Sequence, residues 1–144
     1  MRMFFAILAC KVSKFFLGLI GRGSSLPGDI ALKLCPDVLS RVKMPELVIA
    51  VTGSNGKTST VEMIAQVLGK SGKKVIWNKE GSNQIAGVTA IVLSKCSFGG
   101  KVKGDVLLLE SDERYAKYSF KYFAPDYYVI TNLYRDQLTR NGHP

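Results

Sequence analysis

One histidine, three cysteines and no run of about 20 consecutive apolar residues are found in this sequence, and each shortage removes a class of protein. The histidine, His143, stands next to the last residue and reads as a terminal loop residue rather than a metal ligand. Cys10, Cys35 and Cys96 are far apart, odd in number and form no CxxC pair, so a disulfide framework is excluded and a reducing, cytoplasmic compartment is expected. Low-complexity segments, long charge runs and internal repeats are missing too, which removes disordered chains and solenoids. No Ser/His/Asp or Cys/His set offers a covalent nucleophile. Acidic residues are scarce: 11 Asp and Glu stand against 20 Lys and Arg, giving +9, a balance suited to nucleotides, nucleic acid or an acidic membrane surface. The lysines are scattered and do not alternate with aromatics, so nucleic acid is not an expected partner.

What is present is enough for a domain with a core: 144 residues, 47% of them hydrophobic. The opening MRMFFAILAC resembles the start of a signal peptide, but Lys11 and Lys14 interrupt it and no small-residue cleavage site follows. At 100° per residue, Phe4, Phe5, Leu8, Val12, Phe15, Phe16 and Leu19 share one helical face, with Arg2, Lys11, Ser13 and Lys14 beside or behind it. Residues 2–20 therefore form an amphipathic helix. It either packs on the body of the protein or rests on the inner face of a membrane, and both readings stay open.

GRGSSLPGD makes a loop, after which Asp29 can cap a short helix ending before Pro36, and a further helical piece spans Asp37 to Val42. From Glu46 the pattern changes. LVIAV is a continuous β-branched run, as in a strand buried on both faces. VEMIAQVLGK has helical spacing, KKVIWN reads as a second strand, and Ser82 to Ser94 suits a helix with Ile85, Val88, Val92 and Leu93 inward. VLLLE is a third strand, DERYAKYSFKYF a helix and YYVIT a fourth strand. This alternation predicts an α/β fold, a mostly parallel sheet with helices on both faces and right-handed crossovers, preceded by the N-terminal amphipathic helix.

Between the first strand and its helix lies TGSNGKTS, Thr52 to Ser59. A loop entering a helix N-terminus exposes several N–H groups where the helix dipole is positive, which suits a phosphate. Gly53 and Gly56 let the backbone approach closely, Lys57 supplies a charge for the β- and γ-phosphates, and Thr58 offers a hydroxyl to Mg²⁺. The usual first glycine of such a loop is replaced by Val51. A Mg²⁺ shell also needs a carboxylate from a neighbouring strand tip, and Glu110 at the end of VLLLE fits. Glu113 reads as a helix cap; Asp112 serves as either metal ligand or cap.

TGSNGKT, NKEGSNQIAG, LLLESDE and TNLYRDQLTRNG together resemble the Mur ligase family, the ATP-dependent enzymes that build and modify peptidoglycan stems. Nearly the whole chain is covered by the resemblance. It implies a P-loop-type central domain over residues 46–144, incomplete at its C-terminal side and lacking the ligase C-terminal domain, after an N-terminal helical segment over residues 1–45. It implies ATP and Mg²⁺ as ligands. Thr52, Gly53, Ser54, Asn55, Gly56, Lys57, Thr58 and Ser59 would bind nucleotide with Asn83, Asn132 and Asp136, while Lys57 and Glu110 would be catalytic and Thr58 and Glu110 would hold Mg²⁺.

Gln137 stands where the amino-acid-adding members place a histidine that helps hold a second Mg²⁺, which puts the two-metal arrangement in question. That departure, the asparagine element and GRGSSLPGDIA are similar to one branch of the family, the synthetase subunit of lipid II isoglutaminyl synthase. The branch implies a heterodimer with a GatD-type glutamine amidotransferase and lipid II as substrate, phosphorylated on its D-glutamate α-carboxylate and amidated to D-isoglutamine. Zinc would belong to the longer protein, since the paired cysteines of the branch are absent here, and amidation by residues 1–144 alone is not expected. The alternatives are another Mur-type amino-acid or folylpolyglutamate ligase, or a nucleotide-binding module without catalysis.

Overall fold

A computed structural model describes residues 1–18, 25–77, 84–112 and 120–132. Within them the elements are α1 (Arg2–Gly18), α2 (Leu26–Leu34), α3 (Val38–Arg41), β1 (Leu47–Thr52), α4 (Lys57–Lys70), β2 (Val75–Trp77), α5 (Ile85–Ser94), β3 (Val106–Glu110) and β4 (Tyr127–Ile130). The four strands form one sheet in the order β2-β3-β1-β4, and every pairing is parallel. The expected α/β architecture is observed.

From β1 the chain steps outward to β2 through α4, then back to β3 through α5. The two steps run in opposite directions, so a common handedness puts α4 and α5 on opposite faces. The strand residues divide accordingly. Ile49, Val51, Val106 and Leu108 meet Val61 and Ala65 of α4, while Val48, Ile76, Leu107 and Leu109 meet the other face with Val88, Val92 and Leu93 of α5. Successive side chains of a strand point to opposite faces, which is why LVIAV and VLLLE are apolar without interruption.

The described helices before β1 share that second core. Ala6, Ile7 and Cys10 of α1, Ala31 of α2 and Val38 and Leu39 of α3 are buried with it. Helix α5 therefore lies between the sheet and a further helical layer, and residues all round it are buried, including Ala86, Gly87, Thr89 and Ala90 beyond the expected inward set. Gly28 marks the closest approach of α2 to α5: a Cβ there would sit 1.8 Å from the Ala86 carbonyl oxygen.

Four expectations need correction. Helix α2 starts at Leu26, not at Asp29, because Pro27 occupies its first turn, where a missing N–H costs nothing. Helix α4 starts at Lys57, four residues before the apolar periodicity becomes visible. Helix α1 turns inward not its phenylalanines but Ala6, Ile7 and Cys10; Phe4, Phe5, Phe15 and Phe16 are exposed. Small residues allow the backbones to come near: α1 packs on α2 and α5, with Cys10 Sγ 3.9 Å from the Ala90 carbonyl oxygen. Of the helix expected over 112–123, residues 113–119 lie outside the described residues, and the stretch after them, Phe120–Phe123, is not helical. Among the described residues no helix is long and apolar enough to cross a membrane.

Candidate phosphate-loop site

The carboxyl ends of β3, β1 and β4 lie side by side, with Glu110 paired to Val51 and Ile130 to Thr52. In open parallel sheets ligands bind in the crevice outside the carboxyl ends of the strands. The loop Gly53–Gly56 rises from it. Gly53 (φ 132°) and Gly56 (φ 79°) both need the left-handed region that glycine tolerates. At Gly53 space is a second constraint, since a Cβ would lie 2.2 Å from Thr131 Oγ1 and 2.8 Å from the Asn132 carbonyl oxygen.

The loop is held by the end of β4. Ser54 N–H donates to the Asn132 carbonyl (3.2 Å), Asn55 N–H to Asn132 Oδ1 (3.0 Å), and Asn132 Nδ2 to the Asn55 carbonyl (2.9 Å). Thr131 Oγ1 lies 2.7 Å from the Asn55 carbonyl and 3.2 Å from that of Thr52. Asn132 thus clasps the loop tip by both sides of its amide. Thr131 is a residue whose part in the site the sequence did not reveal; its place beside Asn132 in the TN step was the available hint.

Lys57, the first residue of α4, folds back so that Nζ donates to the Gly53 carbonyl and, at 3.3 Å, to that of Ser54. Its charge is thereby held over the loop. Among the described residues no side chain caps the N-terminus of α4 and its first turn holds no acid, which makes it a helix start suited to an anion. Thr58 and Glu110, 52 residues apart in sequence, come together: Thr58 Oγ1 donates to Glu110 Oε2 at 2.9 Å. Glu110 is buried at the strand tip. Ser111 N–H donates to the Val51 carbonyl and continues the ladder past it (2.9 Å).

The expected site residues thus separate into three groups. Thr52, Gly53, Ser54, Asn55, Gly56, Lys57, Thr58, Glu110 and Asn132 converge at one end of the sheet. Ser59 lies in the first turn of α4 and Asp112 two residues past β3. Asn83, Asp136, Gln137, Glu113 and His143 lie outside the described residues. Among the described residues Thr52 Oγ1 is buried without a hydrogen-bond partner.

A hydroxyl beside a carboxylate, next to a lysine and a glycine loop at a helix start, fits a phosphate-bound divalent cation. Mg²⁺ takes one or two protein oxygens and completes its shell with phosphate and water. The fold and site define a phosphate-loop α/β protein. The Mur ligase middle-domain profile matches residues 51–142. The chain is 37% identical over 137 residues to the lipid II isoglutaminyl synthase (glutamine-hydrolyzing) subunit MurT of Streptococcus pneumoniae, an overlap of 94% of this chain and 30% of that protein. It is 33% identical over 144 residues to the same subunit of Staphylococcus aureus, an overlap of 99% and 32%. To the UDP-N-acetylmuramate–L-alanine ligase of Thiobacillus denitrificans it is 33% identical over 95 residues, an overlap of 66% and 18%. The chain belongs to the Mur ligase family. It spans about a third of the length of the MurT relatives it matches.

Proposed function

We propose that this chain is the nucleotide-binding part of an ATP-dependent carboxylate–amine ligase of peptidoglycan synthesis, the synthetase subunit that amidates lipid II in the cytoplasm. The observation that carries the reading is the Thr58–Glu110 hydrogen bond at 2.9 Å beside the Lys57-bearing loop. Both relatives named as MurT subunits support the choice of branch.

A carboxylate is a poor acyl donor because its leaving group would be oxide. Phosphorylation solves this: a carboxylate oxygen attacks the γ-phosphorus of ATP, the bond to the β-phosphate oxygen breaks and ADP leaves. Ammonia then attacks the acyl carbon, inorganic phosphate departs and a proton is lost, leaving the amide. Bound Mg²⁺ would offset charge on the phosphates. Thr58 Oγ1 and Glu110 would hold it. The loop N–H groups and the α4 N-terminus would orient the phosphate chain, and Lys57 would leave the Gly53 and Ser54 carbonyls to face the transferring group. The ammonia would come from a GatD-type glutamine amidotransferase partner, and the acceptor would be the D-glutamate α-carboxylate of lipid II.

Calorimetry on the intact chain tests the first half. Wild type should bind Mg-ATP and Lys57→Ala should show no binding; equal affinity ends the reading. For the second half, the longer protein should release ADP with ammonium only when lipid II with a free α-carboxylate is supplied. ADP release that ignores lipid II overturns the choice of acceptor.

A further inference from the structure

Helix α1 is apolar on two opposite sides, and only one of them is used. Ala6, Ile7 and Cys10 are buried, while Phe4, Phe5, Leu8, Val12, Phe15 and Phe16 are exposed, Phe15 by 68% and Phe16 by 59%. At 100° per residue these six fall within a sector of about 120°, diametrically opposed to the buried one. Phe98, from the loop after α5, extends the patch: it is 48% exposed and its ring centroid lies 5.4 Å from that of Phe4. So large an aromatic surface on a basic chain requires a partner.

Charge indicates which partner. Residues 1–28 contain Arg2, Lys11, Lys14 and Arg22 and not one Asp or Glu; residues 95–104 contain Lys95, Lys101 and Lys103 and again no acid. Lys11 is fixed on the flank of the patch, donating to the Ser94 carbonyl at 3.0 Å with Nζ 5.8 Å from the Phe98 centroid. Phenyl rings bordered by cations alone match the boundary between acyl chains and anionic headgroups, where apolar burial and electrostatic attraction add. The helix spans only 17 residues and is anchored along its inner side, so it would lie flat rather than cross.

We propose that α1 and the Phe98 loop form a docking surface for an anionic phospholipid bilayer. This inference does not depend on the ligase reading. The intact chain should co-sediment with vesicles of equal parts phosphatidylglycerol and phosphatidylcholine, and more weakly as salt is raised. Phosphatidylcholine vesicles alone should leave it in the supernatant. The double variant Phe15→Ser with Phe16→Ser changes only exposed positions and should weaken vesicle binding by about tenfold or more while Mg-ATP affinity and melting temperature stay unchanged. A Phe5→Trp variant should show a blue-shifted emission, quenched by brominated lipids. No sedimentation, equal binding to both vesicle types, or an unaffected double variant overturns the proposal. A concentration-dependent dimer that the same double variant abolishes overturns it as well, by assigning the face to a second copy.

Discussion

In the proposed site Glu110 would carry two duties with different chemical requirements. As acceptor from Thr58 it needs only an oxygen, but as a cation ligand it needs charge. Glu110→Gln preserves the first and removes the second. Titration calorimetry should therefore find ATP affinity about tenfold weaker with Mg²⁺ and unchanged without it; an equal loss in both conditions rules out the metal role. Glu110 and Thr58 were legible individually, one from a strand-end carboxylate, the other from the lysine–threonine step. Their contact was not, since it follows from β3 lying next to β1.

At the scale of elements, the packing of α2 on α5 shows how propensity can be overruled. Alanine is favoured over glycine inside a helix by up to about 1 kcal/mol. At Gly28, however, the new methyl would meet the Ala86 carbonyl at 1.8 Å, against backbone that cannot swing away. Overpacking of this kind costs about 1–3 kcal/mol, so the clash wins. Gly28→Ala should lower stability in urea unfolding by about 1–2 kcal/mol net, and a stabilised variant would show that the helices can part. GRGSSLPGD reads in sequence as a loop because Pro27 and Gly28 disfavour helix, yet Pro27 fits a first turn and Gly28 fits the neighbour. Only the neighbour explains the glycine.

Across the whole molecule, the three cysteines report on a shared core. Cys10, Cys35 and Cys96 are all buried and free, and all three belong to the core that α1, α2, α3 and α5 share with the sheet. Burial raises the Cys10 thiol to about 11, with the nearby Lys14 and Lys11 only partly offsetting it, and burial raises Cys35 and Cys96 as well. A raised folded value favours the thiol form, so its contribution to stability is whole below the unfolded value near 9 and is lost as pH rises toward about 11. Alkylation by iodoacetamide at pH 8 should track global unfolding for all three. Fast modification of Cys10 alone would mean that α1 opens independently of the sheet.

Sequence alone determined the parts whose cause is local. The apolar strands, the helical periods and the TGSNGKT loop each draw on neighbours within a few residues, so the α/β alternation and the phosphate loop could be read directly. Tertiary structure decided which distant residues meet. Asn132 reaches Asn55 across 77 positions because β4 pairs with β1, and Thr58 reaches Glu110 because β3 does. It also decided which side of α1 faces inward: hydrophobicity ranks the phenylalanines first, but a close helix approach admits alanine and cysteine, and shape prevailed over apolar area.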